Sequence, residues 1–252
     1  MPLSAPETGP TTPFSPPTPS SLPIVHSAER FYLNRVYCVG RNYADHAREL
    51  GNDPDREPPF FFAKPADAVY AVDEGVDAQN VAPNTVPYPP ETDDLHFEME
   101  LVVAIGVGGA DIASADALTH VFGYGAGVDL TRRDLQDTAK ALRRPWDLSK
   151  GFDFSGPCTS IAPVAVIGHP DRARIWLDVD GEKRQKGDLA DQIWPVSDVI
   201  AALSRFVTLR PGDLIFTGTP AGVGRIVPGS TVVAGIDGVG DLAFRVISPR
   251  QE

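Results

Sequence analysis

Residues 94–106 read DLHFEMELVVAIG, in which alternating polar and apolar residues pass into an apolar run. Successive side chains of a strand point to opposite faces, so a strand over 97–106 would place Glu98 and Glu100 together on one face. Two neighbouring carboxylates repel each other and lose hydration unless a cation lies between them. Oxygen ligands suit Mg²⁺, Mn²⁺ or Ca²⁺, so the pattern indicates a site for a hard divalent cation; an exposed polar strand face is the alternative.

The composition is that of an ordinary globular protein of one domain. The chain has 252 residues, of which 42% are hydrophobic and 22% charged. Its 22 Lys and Arg residues against 34 Asp and Glu residues give a net charge of −12, which argues against binding to nucleic acids or anionic membranes. We expect a cytoplasmic protein, since no basic and apolar leader and no run of about 18 apolar residues occurs. Cys38 and Cys158 lie far apart and outside any zinc-binding spacing, which fits a reducing compartment.

Proline, serine and threonine dominate the first two dozen residues, where few side chains could be buried. We expect residues 1–23 to form a disordered tail and residues 24–252 to form a single domain. Such a tail is either a recognition segment for a partner or a dispensable extension.

Short apolar runs separated by turn residues predict a β-rich α+β fold with a few short helices. The Asp180-Gly181 pair predicts a tight hairpin turn, because both residues tolerate positive φ. The absence of strand–helix alternation disfavours a doubly wound nucleotide-binding sheet. The predicted strands cover 35–39, 60–63, 97–106, 174–179, 213–217, 231–236 and 241–247, and the predicted helices cover 42–50, 115–121, 131–142 and 196–206.

A third carboxylate, Asp129, follows a glycine-rich strand. Residues 122–131 read FGYGAGVDLT, and the three glycines allow close approach of the backbone. Because Asp129 lies between this strand and the next predicted helix, it is a candidate metal ligand or, alternatively, a plain helix N-cap. Arg133 and Gln136 lie three residues apart and share one helix face, which places a cation and an amide beside the carboxylates and suits an acidic substrate.

Further candidate catalytic residues lie in three other segments. His46 and Glu49 stand at positions i and i+3, so the carboxylate would raise the basicity of the imidazole for activation of water; a solvated surface pair is the alternative. Lys150, between glycine and aromatic residues, is a candidate for stabilising an oxyanion, with a surface lysine as the alternative. Residues 210–224 run from a strand into a glycine-rich loop without a nucleotide-binding fingerprint. The backbone amides of this loop and Thr219 are candidates for binding a carboxylate.

Five motifs, in register from about residue 35 to the C-terminus, resemble the fumarylacetoacetate hydrolase family. They are Gly40-Arg41-Asn42-Tyr43 with His46 and Glu49, Glu98-Met99-Glu100, Asp129 with Arg133 and Gln136, Lys150-Gly151-Phe152, and Thr217-Gly218-Thr219-Pro220. The resemblance implies a fold like that family's C-terminal domain, a mixed β-sandwich or roll, assembled as a homodimer. It also implies one Mg²⁺ or Mn²⁺ per subunit, held by Glu98, Glu100 and Asp129.

The implied activity of the domain at 24–252 is hydrolysis of a carbon–carbon bond in a dicarboxylic 2,4-dioxo acid. The acylpyruvase-like branch is the most similar, and it implies cleavage of fumarylpyruvate to fumarate and pyruvate in gentisate breakdown. In that reaction His46, polarised by Glu49, takes a proton from water, and Lys150 stabilises the oxyanion. Acylpyruvate or fumarylacetoacetate hydrolysis and oxaloacetate decarboxylation are alternatives on the same site. A non-catalytic binding protein stabilised by metal is the alternative of another class.

The resemblance assigns substrate binding to four residues, which are Arg41, Arg133, Gln136 and Thr219. It also implies that the helix carrying His46 and Glu49 acts as a lid over the substrate. For the distal carboxylate of the substrate, the candidates are two cations of the lid region, Arg56 or Lys64.

Overall fold

The computed structural model describes residues 18–45, 58–76 and 79–248. Within these ranges, strands greatly outnumber helices. The strands are β1 (Ser21–Pro23), β2 (Arg30–Tyr32), β3 (Val36–Gly40), β4 (Phe60–Lys64), β5 (Val69–Ala71), β6 (Thr85–Pro87), β7 (Leu95–Phe97), β8 (Met99–Ile105), β9 (Val121–Val128), β10 (Thr131–Arg132), β11 (Gly156–Cys158), β12 (Ala162–Pro163), β13 (Arg174–Val179), β14 (Glu182–Asp188), β15 (Leu214–Phe216), β16 (Gly224–Ile226), β17 (Thr231–Ile236) and β18 (Gly240–Ile247). The α-helices are α1 (Arg133–Ala141), α2 (Asp147–Lys150), α3 (Val164–Ile167) and α4 (Val196–Ser204), and short 3-10 helices cover Ala66–Ala68, Ala117–His120 and Leu189–Asp191.

The largest sheet has β8 near its centre. Strands β4, β3, β15, β8, β9, β11 and β5 lie in that order, and β12 pairs with β9 at one end. Strand β8 is antiparallel to both of its neighbours, β9 and β15, and each of its seven residues is buried. A strand buried on both faces explains why residues 101–105 form an unbroken apolar run.

A second sheet packs against one face of the first and encloses the main core. Its strands lie in the order β14, β13, β17, β18 and β6. Met99, Leu101 and Val103 of β8 point into this core, whereas Val102 and Ala104 point into a smaller apolar cluster on the opposite face. The architecture is therefore the predicted one, a β-rich mixed fold in two packed layers with a few short helices.

The hairpin predicted from Asp180-Gly181 is confirmed. Asp180 has a φ of 53° and Gly181 a φ of 81°, and β13 and β14 pair directly across these two residues. Positive φ at both central positions gives the turn the same hand of twist as the strands that it joins. The strands predicted at 174–179 and 231–236 also have the bounds that the structure gives them.

The strand predicted over 97–106 is interrupted at Glu98, which lies between β7 and β8. Strand β7 pairs with β10 and β16 in a separate three-stranded sheet, so the chain leaves one sheet and enters another at this residue. The Met99 amide donates to the Gln185 side-chain oxygen at 3.0 Å, where a continuing strand would bond to a neighbouring backbone. The break directs Glu98 toward the end of β9, where the Asp129 amide donates to the Glu98 carbonyl oxygen at 2.8 Å.

Helix predictions are less accurate than strand predictions. The helix predicted at 131–142 begins only at Arg133, the one at 196–206 ends at Ser204, and 115–121 contains only a short 3-10 helix. The helix predicted at 42–50 lies mostly outside the described residues. Its first predicted residue, Asn42, is fully buried and binds the backbone of Trp194 and Thr217, and the first helical residues are Ala44 and Asp45.

The predicted boundary of the N-terminal tail at residue 23 is too late. Ser21–Pro23 form β1, which pairs with β2, and Leu22 is completely buried. Leu22 joins the smaller apolar cluster together with Phe31 and Val102, so burial of an apolar side chain fixes this segment in place despite its proline-rich composition. Residues 1–17 lie outside the described residues.

The glycines of β9 permit the close backbone approach that the sequence predicts. A Cβ atom on Gly123 would lie 2.4 Å from the Ala162 carbonyl oxygen, and one on Gly127 would lie 2.7 Å from Cys158 Sγ. A Cβ on Gly125 would meet nothing closer than a side-chain carbon of Ile161 at 3.2 Å. The first two positions therefore require glycine for packing.

We predict that Gly123→Ala lowers the free energy of unfolding by about 1–3 kcal/mol, because the added methyl group forces β12 away from β9. Gly125→Ala is the matched control and should cost less, since its nearest contact is a side chain that can shift. Urea unfolding followed by tryptophan fluorescence measures both values. Equal losses for the two variants would contradict this explanation.

Candidate active site

Three buried carboxylates meet where β8 begins and β9 ends. Glu98, Glu100 and Asp129 are 6%, 2% and 0% exposed, and one carboxylate oxygen of each lies within 4.8 Å of the others. Antiparallel pairing of β8 with β9 brings Glu100 opposite Gly127 and so places Asp129 beside Glu98. The predicted strand alternation therefore puts both glutamates on the side of the sheet that Asp129 reaches.

Three cationic side chains balance the negative charge of this cluster. Lys150 Nζ donates to Glu98 Oε2 at 2.8 Å and to Asp129 Oδ2 at 2.6 Å, and Arg133 pairs with Glu98. Lys64 Nζ lies 2.8 Å from Asp129 Oδ1, with both side chains fully buried. Such buried charges are tolerated only because each has an opposite charge close by.

Lys150 remains charged at this position. Burial acts to lower its pKa, but the carboxylates of Asp129 and Glu98 outweigh burial and raise the pKa above its ordinary value. An ammonium has three N–H donors, and Glu98 and Asp129 use two of them. One donor of Lys150 therefore remains for a group that enters the cleft.

Of the three carboxylates, Glu100 has its negative charge least balanced by nearby cations. Its Oε2 accepts a hydrogen bond from the Gly218 amide at 2.7 Å, but it forms no ion pair with any cation in the described ranges. Burial, followed by the charges of Asp129 and Glu98, raises the pKa of Glu100 well above its ordinary value. A further cation beside Glu100 would remove this penalty.

The donor set fits a hard divalent cation. All three groups offer carboxylate oxygens, with no sulfur or imidazole among them. Asp129 Oδ1 accepts no hydrogen bond of good geometry from the described residues, although Lys64 Nζ is near. Asp129 is also not the N-cap of α1, because Arg132 occupies that position. The N-cap alternative for Asp129 is thus excluded.

Helix α1 forms one wall of the cleft above the carboxylates. Arg133 and Gln136 are both buried on the same face, and Arg133 Nη1 donates to Gln136 Oε1 at 2.5 Å. Arg41, Lys140 and Thr219 also line the cleft. All four predicted substrate-binding residues therefore border the same space as the carboxylate cluster.

Arg41 and Thr219 are held in different ways. Arg41 has a φ of 57°, and its guanidinium lies 5.4 Å from the centre of the Phe60 ring. The Thr219 hydroxyl accepts a hydrogen bond from Gln185 Nε2 at 2.8 Å and is almost completely buried. The backbone of the glycine-rich loop binds a carboxylate as expected, but that carboxylate belongs to Glu100 of this chain.

His46 and Glu49 lie outside the described residues, as does Arg56. Lys64 does not have the position expected for binding a distal carboxylate. Its Nζ donates to the carbonyl oxygens of Lys150 at 2.5 Å and Leu130 at 3.3 Å, besides its contact with Asp129. Lys64 therefore belongs to the floor of the cluster.

Sequence reasoning missed two buried polar residues that support the site. Gln185 joins the start of β8 to the Thr219 loop, since it accepts from Met99 and donates to Thr219 and Pro220. The Asn42 side chain donates to the carbonyls of Trp194 and Thr217 and accepts from the Trp194 amide. The partners of both residues are distant in sequence. A polar residue at a buried strand position is the one signal for Gln185, and the Gly40-Arg41-Asn42-Tyr43 motif contains Asn42 without indicating its role.

The position of Lys64 could have been inferred from strand alternation. In β4, Phe60, Phe62 and Lys64 occupy alternate positions and share a face, and Phe62 lines the cleft. A lysine that follows two inward-facing phenylalanines is expected to point inward as well.

A model of the C-terminal region of fumarylacetoacetate (FAA) hydrolase matches residues 35–247. The chain belongs to the fumarylacetoacetate hydrolase family. This match spans every carboxylate and cation of the cluster, and the observed β-rich fold is the one expected for that family.

Solved structures and a curated relative of this family are similar over most of their length. A Pseudomonas aeruginosa fumarylpyruvate hydrolase in complex with Mn²⁺ and pyruvate is 49% identical, with a TM-score of 0.89 over 94% of this chain and 100% of that one. A Burkholderia cenocepacia protein, described as a proposed fumarylpyruvate hydrolase, is 55% identical, with a TM-score of 0.86 over 96% of this chain and 100% of that one. The mitochondrial oxaloacetate tautomerase of Arabidopsis thaliana is 41% identical over 84% of this chain and 90% of its own length.

Among the helices of the described residues, none is long and apolar enough to cross a membrane.

We predict that Lys64→Met destabilises the metal-free protein by about 3 kcal/mol, because it leaves Asp129 buried with one cation fewer. Lys186→Met replaces an exposed lysine of β14 and should change the free energy of unfolding by less than about 0.5 kcal/mol. Denaturant unfolding in EDTA measures both variants. A Lys64→Met protein as stable as the Lys186→Met control would contradict the assigned ion pair.

The pKa of Glu100 predicts how the stability of the metal-free protein depends on pH. Its folded-state pKa lies above the unfolded value, so the folded protein binds more protons and loses stability as the pH rises from the ordinary carboxyl range through the raised pKa. Glu100→Gln removes this titration, so the stability of that variant in EDTA should fall less steeply over the same range. Parallel pH profiles for the two proteins would show that Glu100 does not titrate in this way.

Proposed function

We propose that this protein is a metal-dependent hydrolase that cleaves the carbon–carbon bond of a 2,4-dioxo acid, with fumarylpyruvate as substrate and fumarate and pyruvate as products. The observation that carries the proposal is the buried triad of Glu98, Glu100 and Asp129 at the base of a cleft that cations line. The similarity to a fumarylpyruvate hydrolase complexed with Mn²⁺ and pyruvate, at 49% identity, supports it.

Glu98, Glu100 and Asp129 would hold one Mg²⁺ or Mn²⁺ per subunit. When bound, the cation supplies a Lewis acid that polarises substrate oxygens and offsets negative charge on the pyruvate portion as the bond breaks. Lys64, Lys150 and Arg133 fix the orientation of two of these carboxylates before the cation arrives. A preorganised ligand set of this kind reduces the cost of binding.

The remaining steps are assigned to side chains of the chain itself. His46, with Glu49 as its partner, accepts a proton from the attacking water. Lys150 directs its remaining N–H at the oxyanion that forms on the attacked carbonyl carbon. Arg41, Arg133, Gln136 and Thr219 bind and orient the substrate oxygens, since all four line the cleft.

Oxaloacetate is the second candidate substrate. The 41% identity to an oxaloacetate tautomerase over 84% of the chain favours it, and enolisation or decarboxylation of oxaloacetate needs the same stabilisation of an enolate. Acylpyruvate or fumarylacetoacetate hydrolysis also remains open on this site. Activation of water by His46 and Glu49 favours hydrolysis over tautomerisation and decarboxylation.

The proposal includes a homodimer, a cytoplasmic location and a place in gentisate breakdown, all of which stay predictions. The catalytic unit is a single domain. It contains β1 and therefore begins before the predicted residue 24.

We predict that the protein with added Mg²⁺ or Mn²⁺ rapidly depletes the ultraviolet enol band of fumarylpyruvate, and that EDTA abolishes this activity. Glu100→Gln should lower kcat/KM by about a hundredfold or more, because it weakens the binding of the metal. Oxaloacetate and acetylpyruvate, assayed in parallel, should be slower substrates. His46→Ala should abolish hydrolysis without loss of Mn²⁺ binding, which electron paramagnetic resonance measures.

Glu182→Gln, on the exposed strand β14, is the matched control and should retain wild-type kcat/KM. A preference for oxaloacetate would overturn the proposed substrate but leave the metal site intact. Full activity of Glu100→Gln on every dioxo acid would show that the reaction does not depend on the metal site. Absence of turnover of every dioxo acid by the wild type would favour a non-catalytic binding protein.

A further inference from the structure

We propose that Lys140 binds the distal carboxylate of the substrate and so selects dicarboxylic dioxo acids long enough to reach it. This inference rests on the proposed function, because it concerns the same cleft. Of the two cations predicted for this contact, Lys64 is bound within the floor of the cluster, and Arg56 lies outside the described residues.

The position of Lys140 follows from helix α1. Arg133, Gln136 and Lys140 stand at positions i, i+3 and i+7, which share one face of a helix, and all three line the cleft. With a rise of 1.5 Å per residue, Lys140 lies about 10 Å along the helix axis from Arg133. Arg133 pairs with Glu98, so the helix extends from the carboxylate cluster at one end to an ammonium at the other.

The other lysines and the arginine of the cluster are already engaged with carboxylates. Lys64 pairs with Asp129, Arg133 with Glu98, and Lys150 with both of these acids. Each of these cations therefore acts at the end of the cleft where the reacting part of the substrate would bind. A second anionic group on the substrate needs a positive charge farther out.

Lys140 is suited to that role by its surroundings. Its side chain is 30% exposed, and its Nζ contacts only the exposed Asp137 at a long 3.3 Å among the ion pairs of the described residues. The Nζ also lies 5.6 Å from the centre of the Trp146 ring, another residue of the cleft. The ring and Asp137 hold the ammonium beside the cleft, and among the described residues its Nζ donates to no acceptor other than Asp137.

The negative charges near Lys140, those of Asp137 and Glu98, do not offset the burial of its ammonium. Burial, followed by the charge of Arg133, lowers its pKa despite the nearby Asp137. A substrate carboxylate would add a negative charge beside the ammonium and accept a charge-assisted hydrogen bond from it.

A cation at this position would distinguish substrates by their length and by the presence of a second carboxylate. A seven-carbon dicarboxylate such as fumarylpyruvate places its second carboxylate well beyond the reacting carbonyl groups. Oxaloacetate, with four carbons, extends less far from the cluster toward Lys140, and acetylpyruvate has no second carboxylate. Lys140 therefore favours the longer diacid over both alternatives.

The test compares kcat/KM for fumarylpyruvate and acetylpyruvate in wild type, Lys140→Met and Lys140→Arg, each as the full chain with Mn²⁺. In Lys140→Met the ratio of the two values should fall about ten- to a hundredfold, chiefly through a higher KM for fumarylpyruvate, because a charged hydrogen bond is lost. Lys140→Arg should recover much of the ratio, since it keeps the charge. Lys183→Met, at an exposed position of β14, should leave the ratio at the wild-type value.

An unchanged ratio in Lys140→Met would overturn the inference, as would an equal loss for both substrates, because Lys140 would then act on the reacting end. Circular dichroism and Mn²⁺ binding of each variant separate these results from misfolding, and Lys140→Arg provides a second test if Lys140→Met is unstable. If wild type hydrolyses neither substrate, the proposed function itself fails and the inference fails with it. A wild type that hydrolyses both equally overturns the inference alone.

Discussion

The burial of three carboxylates at one point is the constraint on which the rest of the structure depends. Removing these charges from water is costly, so Glu98, Glu100 and Asp129 can coexist only where cations surround them. Lys64 arrives from β4, Lys150 from the end of α2 and Arg133 from the start of α1, with contacts of 2.6–2.8 Å for the two lysines. These elements have to converge on the cluster, and their convergence determines how the helices and the edge strand β4 pack against the large sheet.

The sheet makes this convergence possible through close packing behind the site. Strand β9 presents glycines where β12 and the Cys158 side chain approach, so it can lie close to its neighbours and deliver Asp129 to the end of β8. At Glu98 the chain passes from one sheet to another, while the Glu98 carbonyl accepts from the Asp129 amide and Gln185 binds the next amide. Glu98 thus lies beside Asp129, on the same side as Glu100.

The sequence predicts features that depend on neighbouring residues. Period-two alternation predicts that Glu98 and Glu100 share a face, and Asp180-Gly181 predicts its hairpin, because these patterns act over a few residues. The contact of Lys64 with Asp129 and that of Asn42 with Thr217 join residues far apart in the chain, and no local pattern encodes them. The buried strand β1 escaped prediction for a related reason, since the pocket that takes Leu22 is formed by distant strands.

Charge balance links the metal to the substrate. Among the described residues, Glu98, Glu100 and Asp129 face Lys64, Lys150 and Arg133, so the cluster is close to neutral with Glu100 ionised. A divalent cation in the proposed site would offset the charge of Glu100, which no cation of the described residues pairs, and would leave the cluster with a net positive charge. A dianionic substrate would supply the balancing negative charge, with one carboxylate near the cation and the other toward Lys140. The cations that stabilise the three carboxylates thus also make the site receptive to a diacid once the metal is bound, because each bound charge lowers the cost of the next.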